Sequence, residues 1–275
     1  MKANEMKNLK LNYHMLEACN YGCKFCFAEF GKIRQLKPSE MYKVVEKTAQ
    51  SGCFKAINFA GGEPFLVKEL PELIKYAKEL GLETSVITNG SRLDKDMLDR
   101  ILPYLDCLGI SIHSFSETTK RDIGSCSKKG TTLSNEQLKF ICEYVRANSN
   151  CKIKINTVVN AYNKDEILAP FVKDLNIDRW KIMRCKLFNT NSPLLISDNE
   201  WQKFIDNNQG VDASVTESDM QNSYIIVNPE GDLITEGFQN ASYDRIGSVV
   251  TDNMGDLLAK LPFNNEVYQQ RYERA

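Results

Sequence analysis

No run of roughly 18 apolar residues occurs anywhere in this chain of 275 residues, which excludes an ordinary membrane-spanning helix. Charge of one sign is not in excess either. The 35 Lys and Arg residues face 36 Asp and Glu, a formal net charge of −1. General nucleic-acid binding needs a basic surplus, so no polymeric nucleic acid is expected as a partner. The opening stretch, Met1–Leu16, lacks the apolar run and small-residue cleavage site of a secretory signal. It also lacks the long amphipathic helix of a surface anchor. A reducing, cytoplasmic setting is the expectation. Internal repeats, low-complexity tracts and Pro/Gly/Ser-rich linkers are missing as well. What is present, 42% hydrophobic and 26% charged residues, fits a folded globular chain of one large domain or one domain plus an appendage.

Cysteine is the residue in unusual supply. There are 9, an odd number, in a chain that is neither small nor evidently secreted. Disulfide frameworks belong to small secreted domains, so a tight cysteine cluster here points to metal binding or catalysis. Cys19, Cys23 and Cys26 form such a cluster. The other six, at positions 53, 107, 126, 142, 151 and 185, stand singly. Those read as small hydrophobes in packing roles.

Short β-like runs alternate with helical periodicity. Strands are expected over Leu9–Leu16, Lys55–Ala60, Glu83–Thr88, Cys107–Ile112, Lys152–Val159 and Arg179–Arg184. Helices are expected over Ser39–Ser51, Val67–Leu80, Asp94–Leu102, Ser134–Asn148 and Lys164–Leu175. Met41, Val44, Val45 and Thr48 share one face of the first helix. Helices between successive strands argue for parallel pairing with right-handed crossovers. Six such units in about 180 residues are too few for a closed eight-stranded barrel, which needs about 250. The expected fold is therefore α/β, a partial six-unit TIM-like barrel over residues 1–187. A C-terminal α/β extension, 188–275, packs onto it. That extension should hold a helix at Ser197–Asn207, a hairpin of Ser223–Val227 and Asp232–Thr235 turned at Asn228–Gly231, and a last helix at Asn253–Leu261. Chemistry in such sheets collects at the C-terminal strand ends.

The first strand leads into Cys19-Asn20-Tyr21-Gly22-Cys23-Lys24-Phe25-Cys26. Three thiolates fall short of the four ligands of a closed structural zinc site, and no fourth Cys or His follows at finger-like distance. Three thiolates on a 4Fe–4S cluster leave one iron with an open position. After the second strand comes Asn58-Phe59-Ala60-Gly61-Gly62-Glu63-Pro64, whose glycines let backbone approach a ligand closely. Asn89 ends the third strand and Ser111 the fourth, both polar caps on the same end of the sheet.

This arrangement resembles the radical S-adenosylmethionine (SAM) superfamily. The resemblance implies that the open iron chelates SAM, with Phe25 near the adenine and Gly61, Gly62, Glu63, Asn89 and Ser111 around the cofactor. An electron from the cluster would split SAM to a 5′-deoxyadenosyl radical, which takes a hydrogen atom from substrate. In this class the cofactor carries the chemistry and the protein orients and shields it. A reductant protein such as flavodoxin or ferredoxin is then an expected partner.

Lys154 and Asn156 lie two apart on one strand, and Arg179 and Lys181 two apart on the next. Residues at that spacing share a face. On adjacent strands these four would either line the interior, where cations demand an anion, or sit on a solvated outer face. Asn12-Tyr13-His14, the cysteine run continuing to Phe27, Ile57–Leu66, Lys154–Asn156 and Arg179–Lys181 together resemble the viperin-like enzymes over roughly residues 9–235. The resemblance implies a dehydratase that converts a nucleoside triphosphate, CTP before UTP or GTP, to its 3′-deoxy-3′,4′-didehydro analogue, an antiviral chain terminator. Lys154, Asn156, Arg179 and Lys181 would hold the phosphates and Asn12 would face the ribose. Tyr224 would donate a proton as product forms, and the enzyme would act as a monomer. The chain departs from the family pattern at Ala56, where the family has lysine, at Ala60, where it has serine, at His113, where it has aspartate, and at Ser125, where an arginine reaches SAM. Lys128 or Lys129 could substitute for that arginine. The usual closing tail is reduced to Gln270–Ala275. The alternatives are a radical SAM enzyme of another small molecule or peptide, and a non-catalytic SAM or nucleotide binder.

Overall fold

The computed structural model describes residues 7–26, 35–186, 192–211, 214–217, 223–235 and 244–273. Seven strands run parallel, each hydrogen-bonded to the next: β1 (Leu9–His14), β2 (Phe54–Ala60), β3 (Glu83–Thr88), β4 (Cys107–Ser111), β5 (Lys152–Val159), β6 (Arg179–Arg184) and β7 (Ser214–Glu217). On the other side of β1 lies β8 (Ile225–Val227), also parallel. Two antiparallel strands, β9 (Asp232–Ile234) and β10 (Arg245–Ser248), finish that edge. The sheet order is β10-β9-β8-β1-β2-β3-β4-β5-β6-β7, an open sheet whose edges are β10 and β7. The helices are α1 (Pro38–Gln50), α2 (Leu70–Glu79), α3 (Lys95–Ile101), α4 (Glu117–Ile123), α5 (Asn135–Asn148), α6 (Ala169–Asp174), α7 (Asp198–Asn207), α8 (Met254–Lys260) and α9 (Asn265–Glu273).

Strand alternation sorts the two faces. Leu9, Leu11 and Tyr13 of β1, Ile57 and Phe59 of β2 and Ile153 and Ile155 of β5 are all within 1% of fully buried. They pack with Met41, Val44 and Val45 of α1 and with Leu138, Ile141 and Val145 of α5. Each such side chain contributes roughly 1.5–3 kcal/mol by leaving water. The other face, from Asn12 to Lys181, is polar and lines the concave side.

The tail does not form a layer of its own. Its strands join both edges of the same sheet, so the parallel series has seven members rather than the expected six, and β8 adds an eighth parallel strand next to β1. The boundary drawn at 187/188 falls outside the described residues. The helix expected from Lys164 starts only at Ala169, because Pro170 belongs to a first turn and Asn160–Asp165 coil into turns held by Asn163. Asp94 and Ser134 cap α3 and α5 as the sequence predicts, accepting from the backbone N–H of Met97 and Gln137.

Candidate active site

The loop after β1 carries the three thiols, and it is clamped from two sides. The Gly62 and Glu63 N–H groups donate to the carbonyls of Leu16 and Ala18 at 2.7 and 2.9 Å. Opposite, the Gly22 N–H donates to the Gly124 carbonyl at 3.1 Å and the Lys24 N–H to that of Ile123 at 2.9 Å. Glycine is required at these contacts. A Cβ on Gly62 would lie 2.1 Å from the Ala18 oxygen, and one on Gly124 would lie 2.3 Å from the Gly22 oxygen. Gly61 adds a φ of +135° and a would-be Cβ 2.4 Å from the Leu16 oxygen. These glycines admit the close approach of the cysteine loop's own backbone.

Glu63 is held in place as firmly. Its carboxylate is fully buried and accepts from Thr88 Oγ1 at 2.7 Å, the Asn89 N–H at 2.8 Å and the Phe65 N–H at 3.1 Å. Burial pushes its pKa up, and these three donors oppose the shift. These bonds tie the loop after β2 to the end of β3.

Asn89 then reaches the sulfurs: its Nδ2 lies 3.7 Å from Cys19 Sγ and 2.9 Å from Asn20 Oδ1. The Tyr21 N–H also points at Cys19 Sγ, at 3.4 Å. The thiol of Cys23 is pushed up to about 12, first by burial and then by Cys26 and Cys19. A thiol raised by burial and by two neighbouring thiols becomes a thiolate only beside positive charge. Among the described residues no three Cys, His, Asp or Glu side chains converge as ligands of a single ion do. Three neighbouring thiols on one loop, close enough for Cys19 and Cys26 to act on Cys23, are a donor set that fits a 4Fe–4S cluster, which takes one sulfur per iron.

Phe25 lies edge-on to His113, with ring centroids 4.6 Å apart. Burial pushes His113 down to about 3, and its Nδ1 accepts the Val158 N–H at 3.1 Å. The ring is therefore neutral with its proton on Nε2. Ser111, Asn89, Tyr21, His113 and Ser125 line a small cleft beside the cysteine loop. Lys120 also lines it, but Glu117, the Leu133 carbonyl and Asn135 hold its ammonium at 2.8–2.9 Å. Lys128 and Lys129 are exposed. Phe27 lies outside the described residues.

Below the mouth, the concave wall is cationic. Register places Lys154 beside Arg179 and Asn156 beside Lys181, with Ser111 next to Asn156. Lys181 and Asn156 are buried, at 8% and 6% exposure, which settles the inward reading of this face. Gly109 keeps the floor open there; a Cβ would lie 2.4 Å from Ile87 and 3.5 Å from Asn156 Nδ2. Lys154 is lowered to about 7, by burial first, then by Lys181, Arg179 and Lys10, with Cys107 opposing. Two buried polar atoms of this wall, Asn156 Oδ1 and Arg179 Nε, have no hydrogen-bond partner among the described residues. Arg179 Nε is a donor, and clustered cations with an unmet donor are costly unless an anion joins them.

From the other side, Asn12 donates to the Ile225 carbonyl at 3.4 Å and accepts from Asn58 Nδ2 at 3.2 Å. Ser85 extends the chain by donating to Asn58 Oδ1 at 2.9 Å. Tyr224, just before β8, closes the ring of contacts: Lys181 Nζ donates to its hydroxyl at 2.9 Å. Lys181 thus meets Tyr224, whose chain neighbour Ile225 accepts from Asn12. The sequence reading missed Lys10, whose charge acts on this wall, and the structural His113.

A family model described as the radical SAM superfamily matches residues 13–169. The S-adenosylmethionine-dependent nucleotide dehydratase of Selenomonas ruminantium is 34% identical over 271 residues, 96% of this chain and 98% of that protein. The protein of the same name from Flammeovirga pacifica is 35% identical over 250 residues, 85% of this chain and 83% of its own. Among solved structures, Streptococcus suis SuiB bound to S-adenosylmethionine matches with a TM-score of 0.72 at 16% identity, covering 97% of this chain and 68% of its own. That likeness bears on the fold alone.

Proposed function

This chain belongs to the radical SAM superfamily and, within it, to the S-adenosylmethionine-dependent nucleotide dehydratases, and on that premise we propose that it removes water from the ribose of a nucleoside triphosphate. CTP is the favoured substrate over UTP and GTP. The product is the 3′-deoxy-3′,4′-didehydro analogue, a terminator of viral RNA synthesis. The observation that carries this reading is the cationic wall of Lys154, Arg179 and Lys181 inside the same open cup whose mouth holds Cys19, Cys23 and Cys26.

When bound, the cluster and SAM supply an electron and a 5′-deoxyadenosyl radical that takes one ribose hydrogen atom. Cys19, Cys23 and Cys26 hold the cluster, and Asn89 and the Tyr21 N–H direct donors at Cys19. Phe25, Ser111 and the clamped Gly61–Gly62 backbone border the SAM site. Lys154, Arg179, Lys181 and Asn156 take the phosphates, Arg through its planar fork and Lys as point charges. Asn12, fixed by Asn58 and Ile225, faces the ribose. Tyr224, whose hydroxyl accepts from the Lys181 ammonium, would donate a proton as product forms. A small reductant protein such as flavodoxin or ferredoxin would deliver two electrons per turnover, one for SAM cleavage and one to reduce the nucleotide radical left once the hydroxyl departs as water.

The test is a competition. Cluster-reconstituted protein with SAM, reductant and equal CTP, UTP and GTP should release 5′-deoxyadenosine and a nucleotide lighter by one water, from CTP first. Equal turnover of unphosphorylated nucleosides, or triphosphate binding with no SAM cleavage, refutes the proposal.

A further inference from the structure

The wall has a fourth cation. Lys10 alternates with Leu9 and Leu11 on β1 and so shares the concave face with Asn12. Its register partner on β2 is the small, fully buried Ala56. Burial lowers Lys10 first, Cys107 and Glu83 oppose it, and Lys55 and then Arg179, from across the cup, lower it further; its own charge is in turn the last of those that lower Lys154. Cys107 of β4 lies within range of both lysines. Its backbone is pinned: the Lys10 N–H donates to the hydroxyl of Tyr268 in α9 at 2.7 Å, and Tyr268 is 2% exposed. The tail helix thereby fixes the strand at the level of this lysine.

Position along β1 gives Lys10 its role. The cysteine loop leaves the C-terminal end of β1, after His14, whereas Lys10 stands near the N-terminal end. The ribose must lie at the mouth, near the sulfurs, so the phosphate chain runs away from it down the cup. Resting on the proposed triphosphate substrate, we propose that Lys10 is a further substrate-binding residue that grips the terminal phosphate and lets the enzyme tell triphosphate from diphosphate. Lys154 and Arg179 approach the same phosphate chain from the opposite side, so the anion is held between β1 and the β5–β6 pair.

The test uses full-length, cluster-reconstituted protein without reductant, so that no turnover occurs. Calorimetry with CTP, CDP and inorganic tripolyphosphate reads binding directly. Lys10→Met keeps the apolar stem and removes only the charge. It should weaken CTP and tripolyphosphate by about tenfold, the scale of one charge-assisted contact, and leave CDP within twofold. Adding Ala56→Lys returns a cation to the same register level and should recover most of the loss, a result that no purely structural role of Lys10 produces. Equal losses for CTP and CDP, or no loss with an unchanged melting curve, overturn the assignment. Wild-type protein that binds no triphosphate overturns the functional reading, and the role of Lys10 falls with it.

Discussion

Replacing Lys154 with methionine should make the nucleotide-free protein more stable while abolishing its affinity for nucleotide. The reasoning starts from an ammonium lowered from its ordinary 10.5 to about 7, by burial first and by neighbouring cations after that. A lysine whose folded pKa lies below its unfolded value costs stability. That cost is complete at and below about pH 7, and it fades as pH climbs towards 10.5, where the unfolded lysine also loses its proton. At 1.36 kcal/mol per pH unit the ceiling is about 5 kcal/mol. The side chain is only half-buried, and screening reduces this to ~2 kcal/mol. For a chain of this size that is a rise of about 4–8 °C in melting temperature. Thermal melts of wild type and Lys154→Met between pH 7 and pH 10 measure it. The gain should be largest at pH 7 and shrink steadily as pH rises. With CTP present the order reverses, because a polyanion restores the charged lysine and stabilises only the wild type. At pH 8 that restoration takes up roughly nine-tenths of a proton, visible as a buffer-dependent binding enthalpy. A variant that melts lower at pH 7, or that CTP stabilises as strongly as wild type, refutes the cation-wall argument.

Gly62→Ala should damage the cluster without touching a ligand. The added methyl would sit 2.1 Å from the Ala18 carbonyl oxygen, so the cysteine loop must move. Iron content and brown visible absorbance should fall to under about half of wild type, and retention of both would show that the clamp is not needed. Tyr224→Phe removes the hydroxyl that meets Lys181 at 2.9 Å. CTP affinity should stay within about twofold while dehydrated product falls roughly a hundredfold, the scale of a lost proton donor, with 5′-deoxyadenosine still released. Unchanged product formation would remove Tyr224 from the chemistry.

How much of this was legible in the sequence depends on the range of the interaction involved. The spacing of Cys19, Cys23 and Cys26 is local, and it pointed to the cluster directly. The buried face of α1 followed from periodicity, residue for residue. The bonds that fix Glu63 were not legible, because its partners Thr88 and Asn89 come from the end of the next strand. Seven-residue α4 escaped notice because ETTKRDI offers only Ile123 as a buried apolar contact. β10 and α9 likewise carry little apolar signal.

Lys10 was missed for a deeper reason. Between Leu9 and Leu11 it has the alternation of an ordinary solvated strand face. Along the sheet it stands on β1, five steps from Arg179 on β6. On a flat sheet five interstrand steps of about 4.8 Å would put the two strands ~24 Å apart, well beyond the ~8–10 Å over which exposed charges act at physiological salt. Their mutual influence therefore requires the sheet to curl, bringing β1 round to face β5 and β6. Alternation tells which side of a strand a residue occupies, but it does not tell how strongly the sheet bends. The four-cation site exists only through that bend: straighten the sheet, and Lys10 and Arg179 become two unrelated surface charges with no anion in common.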